Sequence, residues 1–200
     1  MSVVIIDYWM WNLQSVKNAV EMCWFWCNIS NNYSIIDSAT KLILPGVGAF
    51  GDWMMNIKEL GLYELIRKKA LQDKIPVLGI CLWMQLLSSV WYELWVNNWL
   101  DLIEWEVKKF IPLHGEKIPH VGWNSVAIKE EHPLFRSIEN NSDFYFVHSY
   151  YFDLVDIKYQ LGTTEYAWRF PSIINKENIF WMQFHPEKSW KNGHKLLLNF

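Results

Sequence analysis

Three side chains in this sequence have the types and settings for nucleophilic catalysis. Cys81 lies within Pro76 to Leu87, P-V-L-G-I-C-L-W-M-Q-L-L. Val77 to Ile80 is a short apolar run suited to a buried strand, and Leu82 to Leu87 suits a helix. A thiol at the junction of a strand turning sharply into a helix is lifted off the sheet. The first-turn N–H groups there have no intrahelical partners and can receive an oxyanion, and the helix dipole favours a thiolate. Such an elbow uses glycine two residues before and two after the nucleophile. Gly79 meets this demand and Trp83 does not. The second and third side chains are His185 and Glu187, in W-M-Q-F-H-P-E-K-S. Two residues apart on an extended segment, they point to the same side. The carboxylate can then orient the imidazole as a base for the thiol. The bland alternatives are a buried, inert cysteine and an exposed H-P-E turn.

The elements that must bring these side chains together follow from periodicity. Val3 to Ile6, Phe25 to Ile29, Lys41 to Leu44 and Val77 to Ile80 are predicted strands. Residues 12 to 22 and Ile57 to Leu71 have helical spacing. This alternation predicts a mostly parallel sheet covered on both faces, with ligands bound beyond the carboxyl ends of its strands. The loop P-G-V-G-A-F-G-D after the Lys41 to Leu44 strand lies at that edge, and its glycines permit close backbone approach. In the second half, Leu100 to Phe110, Gly122 to Ile128, Asp143 to Val147, Gln160 to Tyr166 and Ile179 to Phe184 are short and strand-like. They predict an antiparallel extension of the same domain. Leu196 to Phe200 closes a final helix. No linker or repeat interrupts the chain, so 1–200 is expected to form a single domain.

Composition narrows the function. A net charge of −3 gives no electrostatic reason for nucleic-acid binding. Half the residues are hydrophobic, at 52%, without an apolar run long enough to span a bilayer. The N-terminal M-S-V-V-I-I-D predicts a first strand rather than a signal peptide. Three cysteines, an odd number, do not suit a disulfide framework and fit a reducing cytoplasm. Cys23 and Cys27 lack a second Cys/His pair and are expected to be packing residues. His114, His120 and His148 have no metal-site spacing, so no metal or cofactor is expected. Trp123, in I-P-H-V-G-W-N, is either a core residue or an exposed partner anchor.

D-Y-x-M-x-N-L-Q-S, L-P-G-V-G-A-F-G-D, G-I-C-L-x-M-Q-L-L, P-H-V-G-W-N, F-V-H-S-Y-Y and Q-F-H-P-E-K-S occur in this order over nearly the whole chain. Together they resemble the glutaminase subunits of imidazole glycerol phosphate synthase, among the class I (triad) glutamine amidotransferases. The resemblance implies a flavodoxin-like α/β fold. It implies that Cys81 attacks the side-chain amide of glutamine, that His185 transfers the proton and that Glu187 orients His185. It also implies an oxyanion site at the backbone of Leu82, Val47 and Gly48. Gly48, Leu82, Gln85, His148, Ser149 and Tyr150 match positions that hold the substrate. The implied partner is a cyclase subunit with a (β/α)₈ barrel, supplied with ammonia through a tunnel in a heterodimer and contacted near Trp123. The alternatives are a paralogue feeding another acceptor, such as an amino sugar, a catalytically impaired partner-binding subunit, and a cysteine hydrolase of γ-glutamyl compounds. P-H-V-G-W-N and P-G-V-G-A-F-G-D argue against the last.

Tryptophan departs from the resemblance: the chain has 14 Trp against 9 Gly. The family pattern has glycine at Trp9, Trp11, Trp24, Trp53, Trp83, Trp95, Trp99, Trp105, Trp181 and Trp190. Unrelated replacements would not converge on one residue type, so this is a systematic glycine-to-tryptophan alteration. Strain at each left-handed or close-approach site is about 1–3 kcal/mol. The chain as written is therefore expected to fold poorly, with an elbow distorted by Trp83 and little activity.

Overall fold

The structure, a computed structural model, describes residues 2–9, 12–46, 50–81, 105–113, 115–154 and 156–200. Nine strands form one mixed sheet in the order β2-β1-β3-β4-β11-β10-β9-β6-β7. Its first half is parallel: β1 (Val3–Ile6), β2 (Cys27–Ser30), β3 (Lys41–Gly46), β4 (Val77–Cys81) and β11 (Ile179–Met182). Its second half is antiparallel: β10 (Trp168–Lys176), β9 (Gln160–Tyr166), β6 (His120–Ile128) and β7 (Ser142–His148). β5 (Trp105–Lys109) and β8 (Tyr150–Leu154) form a separate antiparallel ribbon.

Period-two alternation divides the apolar side chains into two layers. Val4, Ile6, Leu42, Leu44 and Val77 face Ile36, Ile57, Leu65, Ile66 and Phe152. These come from helices α2 (Tyr33–Asp37), α3 (Phe50–Glu59) and α4 (Tyr63–Arg67) and from β8. Val3, Ile5, Ile43, Leu78 and Ile80 face the opposite layer. There Val16, Ala19 and Val20 of α1 (Leu13–Met22) and Leu196 and Leu197 of α5 (Trp190–Asn199) complete the core. The expected sheet, parallel first and antiparallel later, with helices on both faces, is present.

Details differ from the sequence-based expectation. The helix expected over Ile57 to Leu71 is two helices and a π turn, Lys68–Gln72. The break is a Schellman cap: Gly61 N–H donates to Lys58 O (3.0 Å) and Leu62 N–H to Ile57 O (3.0 Å), with Gly61 at φ 65°. β8 and β10 were not anticipated as strands. β8 begins after a single bend residue, Ser149, so no turn punctuation marks its start. β10 contains Pro171, which signals a loop, but the ladder shifts register between Pro171 and Ile173, where a bulge tolerates it.

The described tryptophans divide by backbone. Trp9, Trp24 and Trp190 occupy left-handed conformations, φ 64°, 65° and 45°, as expected at glycine positions. Trp181 instead lies within β11, fully buried, its ring centroid 4.2 Å from that of Phe152. Trp11, Trp83, Trp95 and Trp99 lie outside the described residues, as does the helical half of the expected elbow.

Candidate active site

The sheet order explains why distant residues meet. β4 and β11 are parallel neighbours, with Ile80 opposite Met182. Cys81 and Gln183 therefore leave the same edge side by side, and His185 follows two residues later. Cys81 stands at φ 55°, a strained conformation for a residue with a Cβ and the kind found where a nucleophile is presented. The indole N–H of Trp181 donates to the Cys81 carbonyl at 3.2 Å. The Cys81 Sγ lies 3.6 Å from Val147 O and 3.8 Å from Gln183 Nε2.

His185 is buried and bonded to its surroundings through backbone and ring. Its N–H donates to Tyr145 O at 2.9 Å, and its carbonyl accepts from Ser189 Oγ at 2.6 Å. Nδ1 donates to Glu187 Oε1 at 2.8 Å, which leaves Nε2 as the ring nitrogen able to exchange a proton with Cys81. Burial disfavours a charged ring. Its interactions with Cys81 and with Glu187 outweigh burial and hold His185 up at about 10. The H-P-E segment is a 3₁₀ turn whose His and Glu side chains are buried, not an exposed turn.

Helix α5 holds this turn closely. A Cβ built on Gly193 would stand 1.9 Å from Pro186 O and 2.7 Å from Pro186 C, so only glycine permits the approach.

Asn12 and Gln183 also reach the site and were not singled out from the sequence. Asn12 Nδ2 donates to Glu187 Oε1 at 2.7 Å. From sequence, an Asn just before a helix signals an N-cap, yet this side chain makes no capping bond. It is instead committed to the carboxylate 175 residues away. The motif D-Y-x-M-x-N was the available signal for Asn12, and Q-F-H-P-E for Gln183. Glu187 Oε2 and Gln183 Oε1 are buried without a hydrogen-bond partner among the described residues.

The other expected site residues are distributed as follows. His148 ends β7, Ser149 follows it and Tyr150 begins β8. The three lie next to Val147, whose carbonyl faces Cys81. Val47, Gly48, Leu82 and Gln85 lie outside the described residues. Among the described residues no group of three or more His, Cys, Asp or Glu side chains can hold a metal.

Residues 5–200 match the glutamine amidotransferase class-I family. The chain is 47% identical over 198 residues to imidazole glycerol phosphate synthase subunit HisH 2 of Methanococcus maripaludis, covering 99% of this chain and 98% of that one. It is 44% identical to the HisH subunit of Aquifex aeolicus, covering 100% and 96%. A solved glutamine amidotransferase structure superposes with TM-score 0.75 at 14% identity, covering 98% of each chain, which bears on fold alone. The family match and the full-length relatives agree: the chain belongs to the class I glutamine amidotransferases and groups among them with the HisH subunits of imidazole glycerol phosphate synthase.

Proposed function

We propose that the chain, as one amidotransferase domain over residues 1–200, hydrolyses glutamine to glutamate and ammonia through a thioester on Cys81. The observation that carries this reading is a left-handed cysteine at the end of β4 beside a buried imidazole that a buried carboxylate orients. In the proposed sequence, the Cys81 sulfur attacks the side-chain amide carbon. The carbonyl electron pair moves to oxygen, where the backbone N–H groups of Leu82 and the Val47–Gly48 segment receive it. As the tetrahedral intermediate collapses, the C–N bond breaks, His185 Nε2 gives its proton to the nitrogen, and ammonia leaves. Water, deprotonated by His185, then adds to the γ-glutamyl thioester, and the C–S bond breaks to give glutamate and restore the thiolate. Glu187 keeps Nδ1 protonated and Nε2 aimed throughout. Gln85 and the His148–Ser149–Tyr150 segment hold the substrate.

Ammonia passes to a cyclase subunit that forms imidazole glycerol phosphate. The HisH names of the relatives support this acceptor; an amino-sugar acceptor and a non-catalytic role draw no support from them. We assign the partner a (β/α)₈ barrel and the heterodimer to the cytoplasm. No described helix is long and apolar enough to cross a membrane. Trp123 supports a partner contact near the site: it is 45% exposed and packs against the ring of Trp190, centroids 5.1 Å apart.

The test is glutamate release from glutamine by the full chain with added cyclase subunit, with trapping of the γ-glutamyl thioester. Loss of both in Cys81→Ser supports the proposal. Undiminished hydrolysis by Cys81→Ser overturns it.

A further inference from the structure

Two buried histidines beside the site, His120 and His148, play no part in the proton transfers above. They are cross-strand partners in β6 and β7, and their rings share a hydrogen bond, His120 Nδ1 to His148 Nε2, of 2.9 Å. His148 Nδ1 lies 2.7 Å from Tyr150 O, and Asn124 Nδ2 lies 3.3 Å from His120 Nε2.

The direction of this chain of bonds can be deduced. Tyr150 O is a carbonyl and only accepts, so His148 Nδ1 carries a proton. Burial, with the charges of His120 and His185, pushes His148 down to about 3, against the raising effect of its Tyr150 bond; burial pushes His120 down to about 4. Both rings are then neutral near pH 7, and each holds one proton. His148 Nε2 must accept, His120 Nδ1 must donate, and His120 Nε2 must accept from an amide. The Asn124 carboxamide is oriented independently to supply that donor. Its Nδ2 also donates to Glu165 O at 2.9 Å, and its Oδ1 accepts from the Ser125 N–H at 2.8 Å. Backbone groups therefore fix the polarity at both ends.

The relay ends on the segment assigned to glutamine. Ser149 O accepts from the Phe110 N–H at 2.9 Å, and Tyr150 O accepts from His148, so the Ser149–Tyr150 main chain is held at two successive carbonyls. Both ring nitrogens of His148 are already used within the protein, which leaves none for a ligand. The His120 ring is fixed by stacking between Tyr166, centroids 3.8 Å apart and 16° from parallel, and Phe146, 4.9 Å and 21°.

We infer that Asn124, His120 and His148 form a directional relay that positions the Ser149–Tyr150 backbone for glutamine, so that His120 is a positioning residue for substrate binding and His148 acts through its neighbour's carbonyl rather than by touching substrate. The inference rests on the proposed glutaminase reading for what the segment binds, while the relay itself is independent of it.

The experiment has two arms on the full chain with added cyclase subunit. In the first, ¹⁵N spectra of the unsubstituted protein at pH 6 should show both rings neutral, each protonated on Nδ1. A protonated ring or an Nε2–H tautomer at either residue overturns the relay, whatever the fate of the glutaminase reading. In the second, His120→Phe keeps an aromatic ring in the stack but removes the donor to a buried acceptor. It should raise KM for glutamine about 5–30-fold with kcat within about twofold, as expected for loss of a buried hydrogen bond. His120→Asn, whose amide reaches the position of Nδ1, should recover most of that loss. Unchanged KM in His120→Phe, or equal losses in the Phe and Asn variants, overturns the positioning role. Cys81→Ser keeps the two questions separate: retained hydrolysis there refutes the glutaminase reading and leaves the spectra to decide the relay.

Discussion

Replacing Trp24 by glycine should stabilise the protein, and the structure supplies its own control. Helix α1 ends at Met22, and Trp24 follows the cap residue Cys23 at φ 65°, its N–H donating to Glu21 O at 3.0 Å. Gly61, after α3, occupies the corresponding position of its own cap, at the same φ, with its N–H on Lys58 O at the same distance. Two helices thus end with one backbone solution, and one of them carries the residue that suits it. A left-handed residue with a Cβ costs about 1–2 kcal/mol. The indole repays little of this, because Trp24 is 94% exposed. Glycine costs roughly 0.5–1 kcal/mol of extra chain entropy, so Trp24→Gly should gain about 1 kcal/mol. For a chain of this size that is a rise in Tm of about 2–4 °C, readable by urea or thermal unfolding. Trp26 is the matched comparison: it is 84% exposed but not left-handed. Trp26→Gly relieves no strain and should lose about 0.5–1 kcal/mol. In the reverse direction, Gly61→Ala adds a Cβ that meets nothing within 4 Å, so its loss of about 1 kcal/mol would be backbone strain alone. Equal responses of Trp24→Gly and Trp26→Gly would refute the strain argument, and with it the expectation that the tryptophans at left-handed sites burden folding.

Gly193→Ala forces a Cβ into the Pro186 carbonyl, between His185 and Glu187. It should destabilise the chain by about 1–3 kcal/mol and lower kcat/KM for glutamine about 100-fold by displacing the imidazole; normal kinetics would show that the turn tolerates movement. Because His185 is raised to about 10, its proton persists through neutral pH, and the basic limb of kcat/KM should lie well above 6.5. Glu187→Gln removes one of the raising charges and should move that limb downward; a limb near 6.5 in the unsubstituted protein contradicts the coupling. By the same sign, the ion pair's contribution to stability is complete below about pH 6.5 and is lost as pH rises toward about 10, a trend that unfolding at a series of pH values measures. Asn12→Ala takes one of two donors from Glu187 Oε1 and should lower kcat about tenfold with KM within about twofold; an unchanged kcat would leave Asn12 a bystander.

The parts of this protein legible in its sequence are those governed by short-range patterns. Apolar runs bounded by Asp7, Pro76 and glycine located the parallel strands; His185 and Glu187 do share a hydrogen bond, although Pro186–Lys188 is a 3₁₀ turn and not the extended segment from which their spacing was argued. Asn12 was not legible because one residue type serves two purposes: an Asn before a helix caps it unless a distant carboxylate competes, and only the sheet order brings Glu187 there. The His120–His148 pair was hidden for a related reason. Strand pairing is a long-range property, and the His120–His148 register depends on which strand lies beside β6. β10 was obscured by Pro171, whose effect depends on the bulge that accommodates it.

The tryptophans show how far a fold absorbs a residue its local pattern opposes. Where glycine is used for its dihedral freedom, as at Trp24, the burden remains local and the indole projects into solvent. Trp181 is different: its strand needs no left-handed backbone, and its side chain enters the core against Phe152. There it acquires a bond that glycine could not make, from Nε1 to the carbonyl of Cys81. That carbonyl belongs to Cys81, the left-handed residue that carries the proposed nucleophile, so Trp181 braces the backbone at the end of β4. Trp181→Phe keeps one aromatic ring but deletes this donor together with part of the buried indole. It should destabilise the chain by about 2–4 kcal/mol, lost hydrogen bond and cavity together, while lowering kcat more than it changes KM. A loss of stability with kcat intact would mean that the indole is packing alone and that Cys81 holds its conformation without it.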